Sequence, residues 1–285
     1  MSYRDLVSVI IPVYNRVKMV HEAIESVLAQ SYNNIELIIA DDGSTDGTLQ
    51  SLNKYRTYPN VKIQSLDHCG YPGQVRNSAA GISEGVWLAF LDSDDIWLED
   101  KILKQIEYLS KHREYRFIHT LEKWERRGIT VSQRHRKHEK EGDLFRTSLG
   151  KCEIGPSTVM MDRSLFQSLG GFRDDLEICE DYEFWLRITS DYPVAYVDEE
   201  LVVKRGGHDD QLSGKYGHIE IFKIEALRKL VDERFFSKEK LRQASGELAG
   251  KCLIYSKGCL KRGREKEAKK YESLYFFYSV DDVQR

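Results

Sequence analysis

Val86-Trp87-Leu88-Ala89-Phe90-Leu91-Asp92-Ser93-Asp94-Asp95 decides the fold: six apolar residues run without interruption into a loop carrying three carboxylates. An unbroken apolar stretch of this length reads as a strand buried on both faces, as parallel strands are. Ligands of open α/β sheets bind at the carboxyl ends of such strands. Carboxylates crowded there repel one another, and a hard cation bridging to phosphate oxygens gives them a reason to be there.

Strand and helix alternate on either side. Val7–Pro12 (VSVIIP) is another near-continuous apolar run, and Glu36–Ala40 (ELIIA) a third. Val20, Ala23, Ile24, Val27 and Leu28 recur at helical spacing between them and predict one apolar helix face. A helix is expected from about Thr48 to Tyr55, a strand over Val61–Leu66, and a helix rich in small residues over Gln74–Ser83. Asp100 is placed to cap a helix whose apolar residues are Ile102, Leu103, Ile106 and Leu109. Short connections between alternating strands and helices yield a parallel α/β sheet.

Beyond Arg116–Thr120 the pattern loosens, and the strongly charged residues 122–141 read as a hairpin or mobile loop. Further strands are expected over Pro156–Met161, Val194–Val197 and Leu201–Lys204. Helices are expected over Arg163–Leu169 and Asp181–Ser190, with a tight turn at Gly170-Gly171. From about Ile219 the chain reads as helical. Its stretches Glu239–Ser256 and Gly263–Phe277 pair as a helical hairpin, which must pack on the main body or a partner to bury its apolar face.

The chain of 285 residues has room for one large or two smaller domains. With 41% hydrophobic and 31% charged residues it has the balance of a soluble globular protein. A net charge of −3 gives no reason to expect nucleic acid as a partner of the whole chain. Cys69, Cys152, Cys179, Cys252 and Cys259 form no C-x-x-C pair, so they read as reduced thiols in a cytoplasmic protein. The apolar opening ends at Pro12, too short for a signal segment or a membrane span, which leaves peripheral docking on the inner membrane face open.

Three acidic clusters carry the chemistry. Asp41-Asp42 follows the strand ELIIA, and a carboxylate there can accept a base N–H or a ribose hydroxyl. In the second cluster, Asp92 is placed to hold a ribose and Asp94 a divalent cation on a diphosphate, whose departing charge the metal stabilises. The plainer reading makes DDGSTDG an Asx-type turn capping a helix. Glu180-Asp181 precedes the helix DYEFWLRI; displacement at an anomeric carbon needs a base opposite the leaving phosphate, while the plainer reading makes the pair a helix cap.

VSVIIPVYN, DDGSTDGT, the Gly70–Asn77 segment GYPGQVRN, AFLDSDDIW and CEDYEFWL, in this order, strongly resemble the family 2 inverting glycosyltransferases. The resemblance covers roughly residues 5–215. It implies an α/β fold of the GT-A type: a mostly parallel twisted sheet with flanking helices, here followed by a C-terminal helical extension. Residues 1–215 would form the glycosyltransferase domain, with a nucleotide-binding half to about 115 and an acceptor-side half from 116, and residues 216–285 the extension. The implied reaction moves a sugar from a nucleotide-diphosphate donor, a UDP-sugar first, to a hydroxyl of a carbohydrate or lipid-linked acceptor with Mn²⁺ or Mg²⁺. Residue by residue, Pro12, Val13 and Tyr14 flank the base, Asp42 contacts it, and Arg76 is the cation beside the donor. Asp92 and Asp94 bound the D-x-D motif, with Ser93 between them against the donor and Asp94 as metal ligand. Asp181 is the implied base, and Glu180 supports it.

The resemblance also implies a role for His208 near the metal or diphosphate; a lone histidine is otherwise structural or solvent-exposed. Arg134–His138 is a basic run suited to an anionic acceptor, but its neighbours Glu139 and Glu141 fit a solvated loop. Tyr271–Tyr278 (YESLYFFY) reads as packing surface, too short for an interfacial helix. Two competitors are a nucleotidyltransferase of the same superfamily, against which VIIPVYNRVKM lacks a glycine-rich phosphate loop, and a non-catalytic nucleotide-sugar-binding module, against which every acidic position is present.

Overall fold

The computed structural model describes residues 5–132, 140–207 and 219–280. Its first half runs β1 (Val7–Val13), α1 (Val20–Leu28), β2 (Ile35–Asp41), α2 (Thr48–Ser51), β3 (Val61–Ser65), α3 (Pro72–Gly81) and β4 (Trp87–Phe90). Then come β5 (Ile96–Trp97), α4 (Lys101–Lys111), β6 (Phe117–Arg126), β7 (Ile129–Val131), α5 (Phe145–Gly150), β8 (Met160–Asp162), α6 (Arg163–Ser168), α7 (Glu180–Asp191) and β9 (Ala195–Gly206). Three helices follow: α8 (Ile219–Asp232), α9 (Lys238–Lys261) and α10 (Glu265–Ser279).

The strands form one sheet in the order β3-β2-β1-β4-β8-β6-β9-β5, with β7 paired on β6. Its long ladders, β1–β2, β1–β4, β2–β3 and β6–β9, are parallel. The short β8 lies antiparallel between β4 and β6. The fold is thus mixed α/β with a mostly parallel sheet and flanking helices. β1 and β2 are buried along nearly their whole length and mostly apolar, because both faces are covered. One face carries α1 and α4 through Val20, Ile24, Ile102 and Ile106, and the other carries α3, α6 and α7 through Val75, Leu165, Phe184 and Trp185.

Strand order reverses at β1, with β2 on one side and β4 on the other, and Pro12 sits at this point. The Ile10 carbonyl accepts from Leu91 on the β4 side, and the Val13 carbonyl accepts from Asp42 on the β2 side. Residues of Ile10's parity therefore face β4, so the N–H that Pro12 lacks would point past the end of the β4 ladder. The proline costs no ladder hydrogen bond and opens the sheet where a ligand would enter.

Several local expectations change in detail. The helix from Thr48 is four residues of α-helix followed by a 3-10 turn over Leu52–Thr57. Pro156–Thr158 is also a 3-10 turn, and strand pairing begins only at Met160. The two strands expected over 194–204 are one strand, β9, whose register shifts around Leu121 of β6 absorb the polar Asp198–Glu200. Asp100 makes no capping hydrogen bond; its carboxylate accepts from Ser31 Oγ at 2.7 Å. The charged stretch after Thr120 does form a hairpin, β6–β7, turning through Arg127 and Gly128 in left-handed conformation. Arg134–His138 and His208 lie outside the described residues, as does the expected domain boundary near 215.

Helix α7 is buried from Tyr182 to Ser190 because two cores share it. Phe184, Trp185 and Ile188 belong to the core under the sheet, whereas Tyr182 and Leu186 pack with Leu227, Leu230, Leu248 and Tyr271 of the C-terminal helices. Its buried Glu183–Arg187 pair meets at 2.8 Å, and Arg187 also donates to the Leu169 and Gly171 carbonyls, so this buried charge is hydrogen-bonded throughout. Among the described residues no helix is long and apolar enough to cross a membrane.

Candidate active site

Tyr14, Asp42 and Asp92 follow the carboxyl ends of three adjacent parallel strands, β1, β2 and β4. Asp42 is 4% exposed, and its carboxylate accepts from the backbone N–H groups of Cys69 and Gly70 at 2.8 and 3.0 Å. It thereby pins the loop leading into α3. His68, from the same loop, lies 2.9 Å from the Asp42 carboxylate and stacks on Tyr14 with ring centroids 4.0 Å apart at 15°. Gly43 permits this approach: with φ at +68°, a Cβ there would meet the His68 nitrogen at 2.8 Å. Tyr14, 39% exposed, is the accessible aromatic face, whereas the Val13 side chain points into the core. The neighbouring Asp41 follows the plainer reading, accepting from the Ser44 N–H at 3.0 Å as an Asx turn.

Arg76 connects the second and third acidic clusters. Its guanidinium is buried, donates to Asp92 at 2.7 Å and to Glu180 at 2.6 Å, and lies 5.5 Å over the Phe172 ring. Burial alone would lower its pKa, but Asp92 and Glu180 hold it raised. Burial raises the Glu180 pKa; Arg76 opposes the rise and Asp181 adds to it. Gly73 lets α3 come this close, because a Cβ there would stand 3.1 Å from Glu180 Cγ and 3.1 Å from Phe172 Cβ.

The D-x-D loop is locked by Asp95, a residue outside the predicted set. Ser157 Oγ accepts from the Asp92 N–H at 3.1 Å and donates to Asp95 at 2.7 Å, and Asp95 also accepts from the Arg205 N–H at 3.0 Å. The Arg205 side chain donates to the Asp94 carbonyl at 2.5 Å and to Glu22 at 2.7 Å. Asp95 is 1% exposed, and burial raises its pKa against the pull of Lys204. Lys204 on β9, with its ammonium 5.7 Å over the Trp124 ring, is also new. Burial would lower its pKa, but Glu122 first, then Asp95, Asp92 and Asp181, keep it raised. Sequence periodicity hides both residues: Lys204 lies in a run taken as a plain strand, and Asp95 is a third acid with nothing to separate it from its neighbours.

Asp181 opens α7, where the helix dipole favours a carboxylate. One of its oxygens accepts from the Tyr182 N–H at 2.7 Å, and the other lies 3.6 Å from the Cys152 thiol, whose pKa burial and Asp181 push up. Cys179, immediately before the pair, holds φ at 64°, a left-handed conformation uncommon outside glycine. The chain turns there so that Glu180 faces Arg76 while Asp181 faces the 152–154 segment. Ser93 is buried beside Asp92.

The fit to a divalent cation follows from these commitments. Both Asp95 oxygens accept hydrogen bonds, from Ser157 and the Arg205 N–H, and one Asp92 oxygen accepts from Arg76. Asp92, through its other oxygen, and Asp94, two residues on, are the carboxylates of the D-x-D loop that would meet a cation. Mg²⁺ and Mn²⁺ need only one or two carboxylates when phosphate oxygens and water complete the shell, so this set suits a cation arriving with a diphosphate. Among the described residues no group of three or more metal-binding side chains forms a protein-only site.

Residues 8–170 match the glycosyl transferase family 2 pattern. The chain is 34% identical over 186 residues, 65% of its length and 71% of the relative's, to the Escherichia coli UDP-Glc:alpha-D-GlcNAc-diphosphoundecaprenol beta-1,3-glucosyltransferase WfaP. It is 35% identical over 196 residues to an uncharacterized glycosyltransferase of Rickettsia felis, and spans about a third (32%) of that protein. S. aureus TarS 1-349 in complex with UDP-GlcNAc shares the fold, with a TM-score of 0.66 over 98% of this chain and 93% of that one at 21% identity. With more than half of its residues in the family pattern and its acidic motifs in the expected order, the chain belongs to glycosyl transferase family 2.

Proposed function

We propose that the protein transfers a hexose from a UDP-sugar to the hydroxyl of a lipid-linked or polysaccharide acceptor, with inversion at the anomeric carbon. The observation that carries this reading is the buried Arg76 joining Asp92 to Glu180, because it sets the E-D pair beside the D-x-D loop. In the proposed arrangement the uracil lies on Tyr14 beside Asp42, the ribose is held by Asp92, and Ser93 lies along the donor. Asp181 takes the proton of the acceptor hydroxyl, whose oxygen forms the new bond to the anomeric carbon from the face opposite the diphosphate. The old C–O bond breaks with its electron pair going to the diphosphate. Asp94, with Asp92, would hold Mn²⁺ or Mg²⁺, and such a cation supplies neutralisation of the departing charge. Arg76 keeps Glu180 from competing with Asp181 as a base.

The UDP donor and the lipid-diphosphate acceptor in the name of the E. coli relative favour this pairing of substrates, as does the UDP-GlcNAc complex of the S. aureus neighbour. A protein acting on such an acceptor would work at the cytoplasmic membrane face, in cell-surface polysaccharide synthesis. The test is thermal stabilisation by UDP with Mn²⁺, followed by UDP release from a panel of UDP-sugars. Ligand at a hundred times its Kd adds about 2.7 kcal/mol of apparent stability. A binding-only module would be stabilised without releasing UDP, and a nucleotidyltransferase would release no UDP from these donors but would release diphosphate from UTP and a sugar 1-phosphate.

A further inference from the structure

The outer face of α10 differs from the rest of the surface. Ala268, Tyr271 and Tyr278 turn inward: Tyr271 meets the Tyr255 ring at 4.5 Å, and the Tyr278 hydroxyl donates to Asp232 at 2.6 Å. These contacts fix the rotation of the helix. Lys269, Lys270, Phe276 and Phe277 follow Lys266 by three, four, ten and eleven residues, so all five share the opposite side. All are exposed, Phe276 by 61% and Phe277 by 51%. The aromatic run expected to pack is therefore split, tyrosines inward and phenylalanines outward.

Charge concentrates on the same hairpin. From Lys257 to Phe277 the chain has seven basic and three acidic side chains, on a protein whose net charge is −3. The cations surround the α9–α10 turn, and the phenylalanines lie about 15 Å further along α10. Adjacent exposed aromatic residues mark a contact surface, and lysines on the same side specify an anionic partner.

We propose that the α9–α10 hairpin lays this face on an anionic lipid bilayer, with Phe276 and Phe277 entering the acyl boundary and Lys266, Lys269 and Lys270 meeting headgroup phosphates. A bilayer satisfies both halves of the face at once. A nucleic acid would engage the lysines and leave the phenylalanines in water, and a second copy would bring two like-charged hairpins together. The surface lies apart from the reaction site, so it stands or falls independently of the donor and acceptor.

The full chain is sedimented with vesicles of phosphatidylcholine alone and of phosphatidylcholine mixed with phosphatidylglycerol, at low and high salt. Partitioning to the anionic vesicles is expected to be at least about tenfold stronger and to weaken with salt. Lys266→Glu/Lys269→Glu/Lys270→Glu is expected to lower it about a hundredfold, with the thermal transition unchanged. Phe276→Ser/Phe277→Ser removes the binding that survives high salt. Equal affinity for both vesicles, variants that bind as the parent does, or full displacement by duplex DNA would overturn the proposal. So would a parental dimer that the phenylalanine variant converts to a monomer without loss of vesicle binding.

Discussion

Arg76 and Glu180 meet at 2.6 Å although they stand 104 positions apart in the chain, and both are buried. The contact joins the first half of the fold to the helix that carries the E-D pair. Arg76→Met leaves Glu180 buried without its partner and should lower the unfolding free energy by about 3–5 kcal/mol. Adding Glu180→Gln should recover part of that loss, because the uncompensated charge disappears. Urea titration of the three proteins checks this, and equal losses in the single and double variants would contradict it.

Asp181→Asn keeps the shape of the α7 start and removes the proposed base. Transfer should fall by about 10²–10⁴, with the Kd for UDP held within about twofold. Calorimetric UDP binding beside initial rates separates the two, and parallel loss of affinity and rate would reassign Asp181 to donor binding.

Asp94→Ala should weaken UDP binding in Mn²⁺ and change little in EDTA, since only the metal-bridged fraction of the affinity is removed. Titrations under both conditions decide it; Mn²⁺-dependent affinity equal to the parent's would remove Asp94 from the cation site.

Tyr14→Ala removes the exposed ring of the Tyr14–His68 stack. Loss of one base-stacking platform should cost about 1–3 kcal/mol of UDP affinity. Binding of inorganic diphosphate should be unchanged, and a drop in both would mean that Tyr14 supports the loop instead of the base.

Glu36 accepts from Ser8 Oγ at 2.5 Å, from the N–H groups of Glu84 and Gly85 at 2.5 and 3.1 Å, and pairs with Lys62 at 2.9 Å. Burial would raise its pKa, but these partners together hold it lowered. A carboxyl lowered on folding contributes stability above its unfolded value, near 4.3, and that contribution is lost as pH falls through the folded value. Glu36→Gln should therefore destabilise the protein at neutral pH by about 1–3 kcal/mol and flatten its stability profile in acid. Thermal melts from neutral to acid pH read this directly, and parallel profiles for the two proteins would contradict it.

The parallel strands were legible because burial on both faces leaves a near-continuous apolar signature, as in Val7–Val13 and Trp87–Phe90. The convergence of Asp92 with Glu180 was expected from motif order alone, but its agent was not: Arg76 was placed beside the donor, not between two carboxylates. Lys204, Asp95 and His68 were missed because their roles come from neighbours distant in sequence, across β6–β9 and across the β1–β2 loops. Pro156–Thr158 misled because it is buried and runs directly into the apolar Val159–Met161, so a 3-10 turn and the strand after it read as one segment.

Helix α7 has no solvent side. What looks like an appended tail is the rear wall of the carboxylate pair, so trimming it away would strip Tyr182 and Leu186 bare within two turns of Asp181. Substitutions deep in that tail should therefore show themselves first as lost turnover.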